Sequence, residues 1–309
     1  MTASPLVTIL VATFNRADLL AITLQSILLQ DFQNYEVWVI GDGCTDHSGE
    51  VVAAIGDARF QWYNLPKNHK SPYAAYNEGF RRAKGQYIAY LEHDDLWFPN
   101  YLSTMLRTIQ TQKVDVVKTM LVYYKGNGIV HCKGEMIDRH LWFPEHPTVT
   151  IHSRKIIEDN VSWGNPYEVG QSADSYFFQL LYDKGYTHYY LKEFLGILFS
   201  SYTFQIYQAK QFIQKDFLEK IKNVEDLQSV KYAMLLDCAN SMNTVLYQKL
   251  DVKIIPTIKY TISKCIDNLF RKYSKIKLID NLRVWLYLRT RKKGYLLRGI
   301  HFNKTPENK

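Results

Sequence analysis

Three acids in four positions, Glu92, Asp94 and Asp95, stand with His93 directly after the apolar run Ile88–Leu91. So much negative charge at the end of a buried strand needs a positive partner. On a strand, residues 92 and 94 point to the same side, so Glu92 and Asp94 can face one hard cation. One or two carboxylates leave a divalent ion room for water and substrate phosphates. That suits Mg²⁺ or Mn²⁺ bridging a diphosphate, where the ion cancels charge building on the leaving group. Nothing suggests Zn²⁺, because His93 has no spaced His or Cys partners. Taken alone, the residues fit a second account equally well, in which the acids cap the following helix or pair with Arg81 and Arg82. Asp95, nearest Pro99, is the acid best suited to a purely structural part.

The elements that must position this cluster read as alternating strands and helices. PLVTILVATF is a β-rich run, and ADLLAITLQSILLQ follows with Leu20, Leu24, Ile27 and Leu28 spaced for one helical face. YEVWVIGDG is a second strand, SGEVVAAIG a short helix and FQWYNLP a third strand. SPYAAYNEGFRRAKG is a helix stopped at Gly85, and YIAYLEHDD is the fourth strand. Pro99 marks the start of the next helix, where its missing N–H costs nothing. Such units predict an α/β fold, a mainly parallel sheet flanked by helices. Ligands of these sheets bind beyond the carboxyl ends of the strands. Asn15-Arg16, Asp42 and the Glu92–Asp95 cluster all fall at those ends and should converge on one cleft.

Residues 113–205 are less regular and rich in aromatics, with WFPEHP and VSWGNPYE read as loops and ADSYFFQLLYDKG as a helix. From residue 206 the chain reads mostly helical. The expected division is a catalytic domain over 1–205 and a basic, helical C-terminal region over 206–309. No run of about 18 apolar residues exists, so no membrane span is expected. Leu6–Phe14 reads as a buried strand and not as a signal peptide, since no basic segment precedes it. Cys44, Cys132, Cys238 and Cys265 are scattered without a CxxC, which suits a reducing cytosol.

The net charge of +8 is uneven. Between Lys264 and Lys304 there are 12 basic residues against Asp267 and Asp280, while the rest holds 26 basic and 28 acidic residues. The body is near neutral, so pI gives no argument for a nucleic-acid partner. KIKLIDNLRVWLYLRTRKKGYLLRG alternates apolar and basic residues around Trp285. Such helices can lie on an anionic membrane surface; packing on the catalytic domain, or forming an interface with a partner, fits equally.

The order VTILVATFNR, VWVIGDGCTD, NHKSPYAAYNEGFRRAKGQYIAYLEHDD and LWFPNYL closely resembles the family 2 glycosyltransferases, which have the GT-A fold and use nucleotide-sugar donors. The resemblance weakens over 113–160, returns at GQSADSYFFQLLYDKG, and is not carried into the last hundred residues. It implies that Ala12, Thr13, Phe14 and Arg16 end the first strand against the nucleotide. It makes Asp42 the acceptor of a hydrogen bond from the base and Lys70 a phosphate contact. Glu92-His93-Asp94 stands for the family's Asp-x-Asp, with Asp94 as metal ligand and Glu92 toward the ribose. Two departures leave the nucleobase and the ribose contact open. Gly41 replaces the first acid of the usual pair before Gly43, and Glu92 is longer than Asp by a methylene. On its own, Asp42 also reads as an Asp-Gly turn residue.

The resemblance further implies an inverting transfer, which needs a base for the acceptor hydroxyl. Asp174, just before the GQSADSYFFQLL helix, matches the family's catalytic acid, although Ala173 stands where the family has Glu. A helix cap is the other reading of Asp174, and Glu168, Asp159 and Glu158 are the remaining candidates. Trp142, Trp163, Tyr167 and Tyr176 could stack on a sugar or simply fill core and surface. The expected function is a metal-dependent inverting glycosyltransferase using Mn²⁺ or Mg²⁺. It would move a sugar from a nucleotide-diphosphate donor to a glycan or lipid-linked acceptor in cell-surface polysaccharide synthesis. The expected location is cytoplasmic, peripheral on the inner face of the membrane. A sugar-phosphate nucleotidyltransferase and a non-catalytic nucleotide-sugar-binding protein are the rivals.

Overall fold

The computed structural model describes residues 4–125, 129–133, 146–199, 212–222, 227, 229–234 and 236. All of them belong to the first of two compact units, Met1–Ser241; Met242–Lys309 forms the second. Trp142 and the basic tail Lys264–Lys304 lie outside the described residues. Among the described residues no helix is long and apolar enough to cross a membrane.

The chain begins β1 (Val7–Thr13), α1 (Ala17–Leu28), β2 (Tyr35–Gly41), α2 (Ser48–Ala54), β3 (Phe60–Asn64), α3 (Tyr73–Arg82) and β4 (Tyr87–Tyr90). It continues β5 (Leu96–Trp97), α4 (Tyr101–Gln112), β6 (Val116–Lys125), β7 (Ile129–Lys133), a 3₁₀ turn at Pro147–Val149 and β8 (Thr150–Ser153). Then come α5 (Lys155–Glu158), α6 (Pro166–Val169), α7 (Ala173–Asp183), β9 (His188–Phe199) and α8 (Ile213–Lys222). The strands lie in the order β3-β2-β1-β4-β8-β6-β9-β5, with β7 on the free side of β6. The first four pair in parallel, as do β6 and β9. β8 runs antiparallel to both β4 and β6, and β5 antiparallel to β9. The α/β sheet flanked by helices is as expected, and β8, read from sequence as irregular chain, is the insertion that splits its parallel run.

Helices on both faces explain why all seven positions of β1 are buried. Strand alternation divides them between two cores. Ile9 and Val11 join Leu20 and Leu24 of α1 and Leu102 and Met105 of α4. Leu10 and Ala12 face the other way, onto Tyr76 and Phe80 of α3 and Phe177 of α7. A third cluster places Phe217, Leu218 and Ile221 of α8 against Leu96, Phe98 and Phe199. α8, beyond residue 206, thus packs against the sheet.

His152 sits in the second core, fully buried, with Nε2 2.6 Å from the Tyr90 hydroxyl and Nδ1 2.8 Å from the Ser153 carbonyl. The carbonyl can only accept, so Nδ1 carries the proton and Nε2 accepts from Tyr90. Burial pushes this imidazole down to about 4, with the Ser153 carbonyl opposing. The unfolded chain takes up that proton near pH 6.5, the folded chain only near 4. Stability from the neutral ring is therefore complete above about pH 6.5 and falls as pH drops toward 4, by about 2 kcal/mol at pH 5. Thermal melts at pH 7 and pH 5 should show this loss, and His152→Gln should shrink the difference. An equal drop in both proteins would assign the acid sensitivity to other groups.

Candidate active site

β4 ends at Tyr90, and residues 92–95 form a turn in which the Asp95 N–H bonds the Glu92 carbonyl at 3.1 Å. Strand alternation therefore does not set the directions of Glu92 and Asp94, which corrects the reading from sequence. The turn is strapped from several sides. The Thr23 hydroxyl of α1 lies 2.9 Å from the His93 carbonyl and 3.0 Å from that of Asp95. His93 donates Nδ1–H to the Ala12 carbonyl at 3.1 Å, fastening the turn to the end of β1. Thr148 accepts the Glu92 N–H at 3.2 Å and gives its own proton to the Asp95 carboxylate. The other Asp95 oxygen takes the Phe199 N–H at 3.1 Å, leaving Asp95 1% exposed.

The rival account of the acids does not hold. Arg81 and Arg82 both bind Glu78. The helix that the acids would cap, α4, starts at Tyr101 behind Asn100, with β5 in between. What approaches the cluster instead is His146, with Nε2 3.6 Å from Glu92 Oε2 and Nδ1 3.8 Å from Asp95 Oδ2. Glu92, Asp95 and His146 each offer one ligand atom, all within 4.8 Å of one another. Two carboxylates and one imidazole fit a divalent cation, and the imidazole favours Mn²⁺ over Mg²⁺. Sequence reasoning missed His146 and Thr148, because they arrive from the 3₁₀ turn with no spacing pattern to mark them. It also set Asp95 aside as structural, whereas Asp95 is both an anchor of the turn and a member of this trio.

Without a cation the cluster is electrostatically strained. Burial first, then the Asp94 and Asp174 carboxylates, push Glu92 up to about 8, against a smaller pull from His93. Glu92 still keeps 32% of its side-chain surface open to the cleft. Burial and the neighbouring Asp94 and Glu92 charges likewise push Asp95 well up, against the bonds from Thr148 and Phe199. A bound cation inverts this, since the charged forms then become the favoured ones.

The ends of β1 and β2 form the adjoining wall. Ala12 and Thr13 are buried, Phe14 is exposed, and the Arg16 guanidinium donates to the Asn15 carbonyl at 2.9 Å. Asp42 donates its N–H to Thr13 at 2.8 Å, and its carboxylate receives the His69 N–H at 2.9 Å and meets the His69 ring nitrogen at 2.7 Å. Asp42 is thus more than a turn residue, because it ties the loop before α3 to the end of β2. Lys70 follows in that loop, exposed and with φ 59°. Gly41 lacks a side chain for a local reason: a Cβ there would lie 2.5 Å from Asn64 Oδ1 and 2.6 Å from the Trp62 ring. Ala12 and His93, and Thr13 and Asp42, are linked directly by these bonds.

Asp46, not anticipated from sequence, joins the first two helices. Neither α1 nor α2 has a side-chain cap of its own. The Asp46 carboxylate accepts the Ala17 N–H at 3.0 Å and the Ser48 N–H and hydroxyl at 3.1 and 2.6 Å. Burial raises its pKa, but these three donors outweigh that and hold the carboxyl below the usual range. Asp46→Ala should cost about 1–2 kcal/mol, the upper range for a lost cap. Urea unfolding of the two proteins measures it, and a change within a few tenths would show that the caps contribute little.

Asp174 occupies the first turn of α7, half-buried, its Oδ1 accepting the Ser175 N–H at 2.9 Å. Ser172, not Asp174, holds the N-cap position. The Asp174 charge adds a minor upward push at Glu92 and at the Tyr76 hydroxyl. The other candidate bases are engaged elsewhere: Glu158 with Arg154 at 3.5 Å, Asp159 with Tyr186 at 2.7 Å and Glu168 with Asn165 at 2.8 Å. Trp163 is core and not a sugar platform, stacked on Phe177 at 4.2 Å and held through its backbone by Asn77. Tyr167 is 73% exposed, and Tyr176 is half-buried against Gly164.

Residues 8–130 match the family model described as glycosyl transferase family 2. Over 110 residues the chain is 33% identical to an Escherichia coli protein, the UDP-Glc:alpha-D-GlcNAc-diphosphoundecaprenol beta-1,3-glucosyltransferase WfaP. That match covers 35% of this chain and 43% of WfaP. The chain likewise spans 39% or less of three Rickettsia glycosyltransferases that it matches. The structure resembles S. aureus TarS 1–349 in complex with UDP, with a TM-score of 0.58, 18% identity and coverage of 96% of this chain and 97% of that one. It also resembles the mannosyltransferase PcManGT from Pyrobaculum calidifontis, solved with GDP-Man and Mn²⁺, at a TM-score of 0.50 and 16% identity, covering 94% and 89%. These likenesses establish the GT-A fold.

Proposed function

We propose that the chain is a member of glycosyl transferase family 2, whose model matches residues 8–130, and that it moves a sugar, with inversion, from a nucleotide-diphosphate donor to a hydroxyl of a glycan or lipid-linked acceptor. The observation that carries this reading is the acid turn, where Glu92, Asp95 and His146 each offer a ligand atom within 4.8 Å of one another. In this reading Asp174, at the start of α7, takes the acceptor proton on the side away from the departing diphosphate.

In this reading the ends of β1 and β2 hold the nucleotide. Ala12, Thr13 and Phe14 lie against it, Asp42 accepts from the base while bracing His69, and Arg16 and Lys70 supply positive charge toward the phosphates. Glu92 and His93 line the ribose side. A divalent cation, when bound, neutralises the diphosphate as it leaves. Asp94 is the ligand implied by the family, and Glu92, Asp95 and His146 are the donors that geometry brings together. WfaP's diphosphoundecaprenol-linked substrate supports a lipid-linked acceptor; in this reading the enzyme is cytoplasmic, serves cell-surface polysaccharide synthesis and meets the inner membrane face through its basic tail.

The test is a donor screen across UDP-, GDP- and dTDP-sugars with Mn²⁺, scoring thermal shift and slow donor hydrolysis. One nucleotide class should stabilise the protein and release nucleoside diphosphate. Condensation of a sugar 1-phosphate with a nucleoside triphosphate would point to a nucleotidyltransferase. Binding without turnover under any acceptor would point to a non-catalytic binding protein.

A further inference from the structure

Gln214, on the first turn of α8, is fully buried, and its Nε2 lies 3.5 Å from the Asp94 carbonyl, the outer limit of a hydrogen bond. The Oε1 of the same amide is buried with no hydrogen-bond partner. An unsatisfied buried acceptor costs about 1–3 kcal/mol, so native proteins rarely keep one without a water or ligand to fill it. This one belongs to a helix that sequence reading had placed outside the catalytic region. Phe217, Leu218 and Ile221 on the same helix fix its position against Leu96 and Phe98, immediately after the acid turn.

Resting on the cation reading above, we propose that Gln214 is a positioning residue of the cation site and α8 one of its working walls. Nε2 steadies the Asp94 carbonyl, as Thr23 steadies those of His93 and Asp95. Oε1 accepts from a water in the cation's coordination shell, a partner that would satisfy the lone acceptor. An amide serves here better than a carboxylate would, because it orients water without adding charge to an already acidic cluster. Partners of this outer kind set ligand orientation, and losing one typically weakens metal binding about 10–100-fold.

The experiment titrates Mn²⁺ alone into the full chain, following free Mn²⁺ by electron paramagnetic resonance, for the wild type and for Gln214→Leu, which keeps most of the volume. The expected result is about 10-fold or weaker Mn²⁺ affinity in the variant, with partial recovery in Gln214→Asn. Equal affinity in wild type and Gln214→Leu overturns the proposal. Should Gln214→Leu fail to fold, hydrogen exchange on the wild type decides: Mn²⁺ should slow exchange of the α8 amides, and unchanged α8 protection overturns the proposal. A wild type that binds no Mn²⁺ refutes the cation reading itself, an outcome distinct from either of these.

Discussion

Asp174→Asn should lower kcat by about 10² to 10⁴-fold, the usual worth of a general base, while donor affinity and melting temperature stay nearly unchanged. The acceptor hydroxyl is too weak an acid to ionise first, so proton transfer must accompany attack on the anomeric carbon. Asparagine keeps the shape and can still accept the Ser175 N–H, but it cannot take up a proton. Helix stability should hardly move, because Ser172 occupies the cap position and Asp174 only sits in the first turn. Steady-state kinetics, donor titration and melting curves on the two proteins separate the possibilities. A loss of about 1 kcal/mol of stability with turnover preserved would make Asp174 a helix-end residue after all. The base would then be sought at Glu168 or Asp159.

The half of the fold built from parallel strands was legible because local signals agree there. Apolar runs such as VTILVAT alternate with helices whose Leu20, Leu24 and Ile27 repeat at helical spacing, and polar residues such as Asn15-Arg16 and Asp42 follow the first two runs. The site residues at those ends could be placed together because a parallel sheet brings every carboxyl end to one edge. What stayed hidden is non-local. Thr148 and His146 reach the acid turn only because β8 inserts antiparallel between β4 and β6, and a four-residue strand carries too little pattern to announce that. Trp163 looks the same in sequence whether it meets a sugar or Phe177, and only its stacking on Phe177 decides for the core. The acid turn itself misled by continuing the apolar run without a Gly or Pro, so the end of β4 at Tyr90 was invisible.

Removing the imidazole should separate two assignments of the cation. His146→Ala should weaken Mn²⁺ binding by at least about 10-fold, since losing even an outer partner commonly costs about 10–100-fold. His146 is the residue for the purpose because its two ring nitrogens approach both Glu92 and Asp95. Asp95 also accepts from Thr148 and Phe199, so changing it would confuse ligand loss with loosening of the turn. The imidazole, by contrast, stands 3.6 and 3.8 Å from the two carboxylates, spacings wide enough for an ion to draw them in. Asp94→Asn tests the ligand implied by the family. Its carbonyl keeps the Gln214 contact, and only the carboxylate charge is lost. If both variants weaken Mn²⁺, the ion is held between His146 and the whole turn, and the variants should also lose the Mn²⁺-dependent thermal shift with donor. Normal Mn²⁺ affinity in His146→Ala with a large loss in Asp94→Asn would put the ion on the Asp94 side and leave His146 as a neighbour of Glu92 and Asp95 only. In that case His146→Ala should lower the melting temperature instead, by removing the imidazole that stands between two crowded acids. Full sugar transfer by the wild type in EDTA would dispense with the cation altogether.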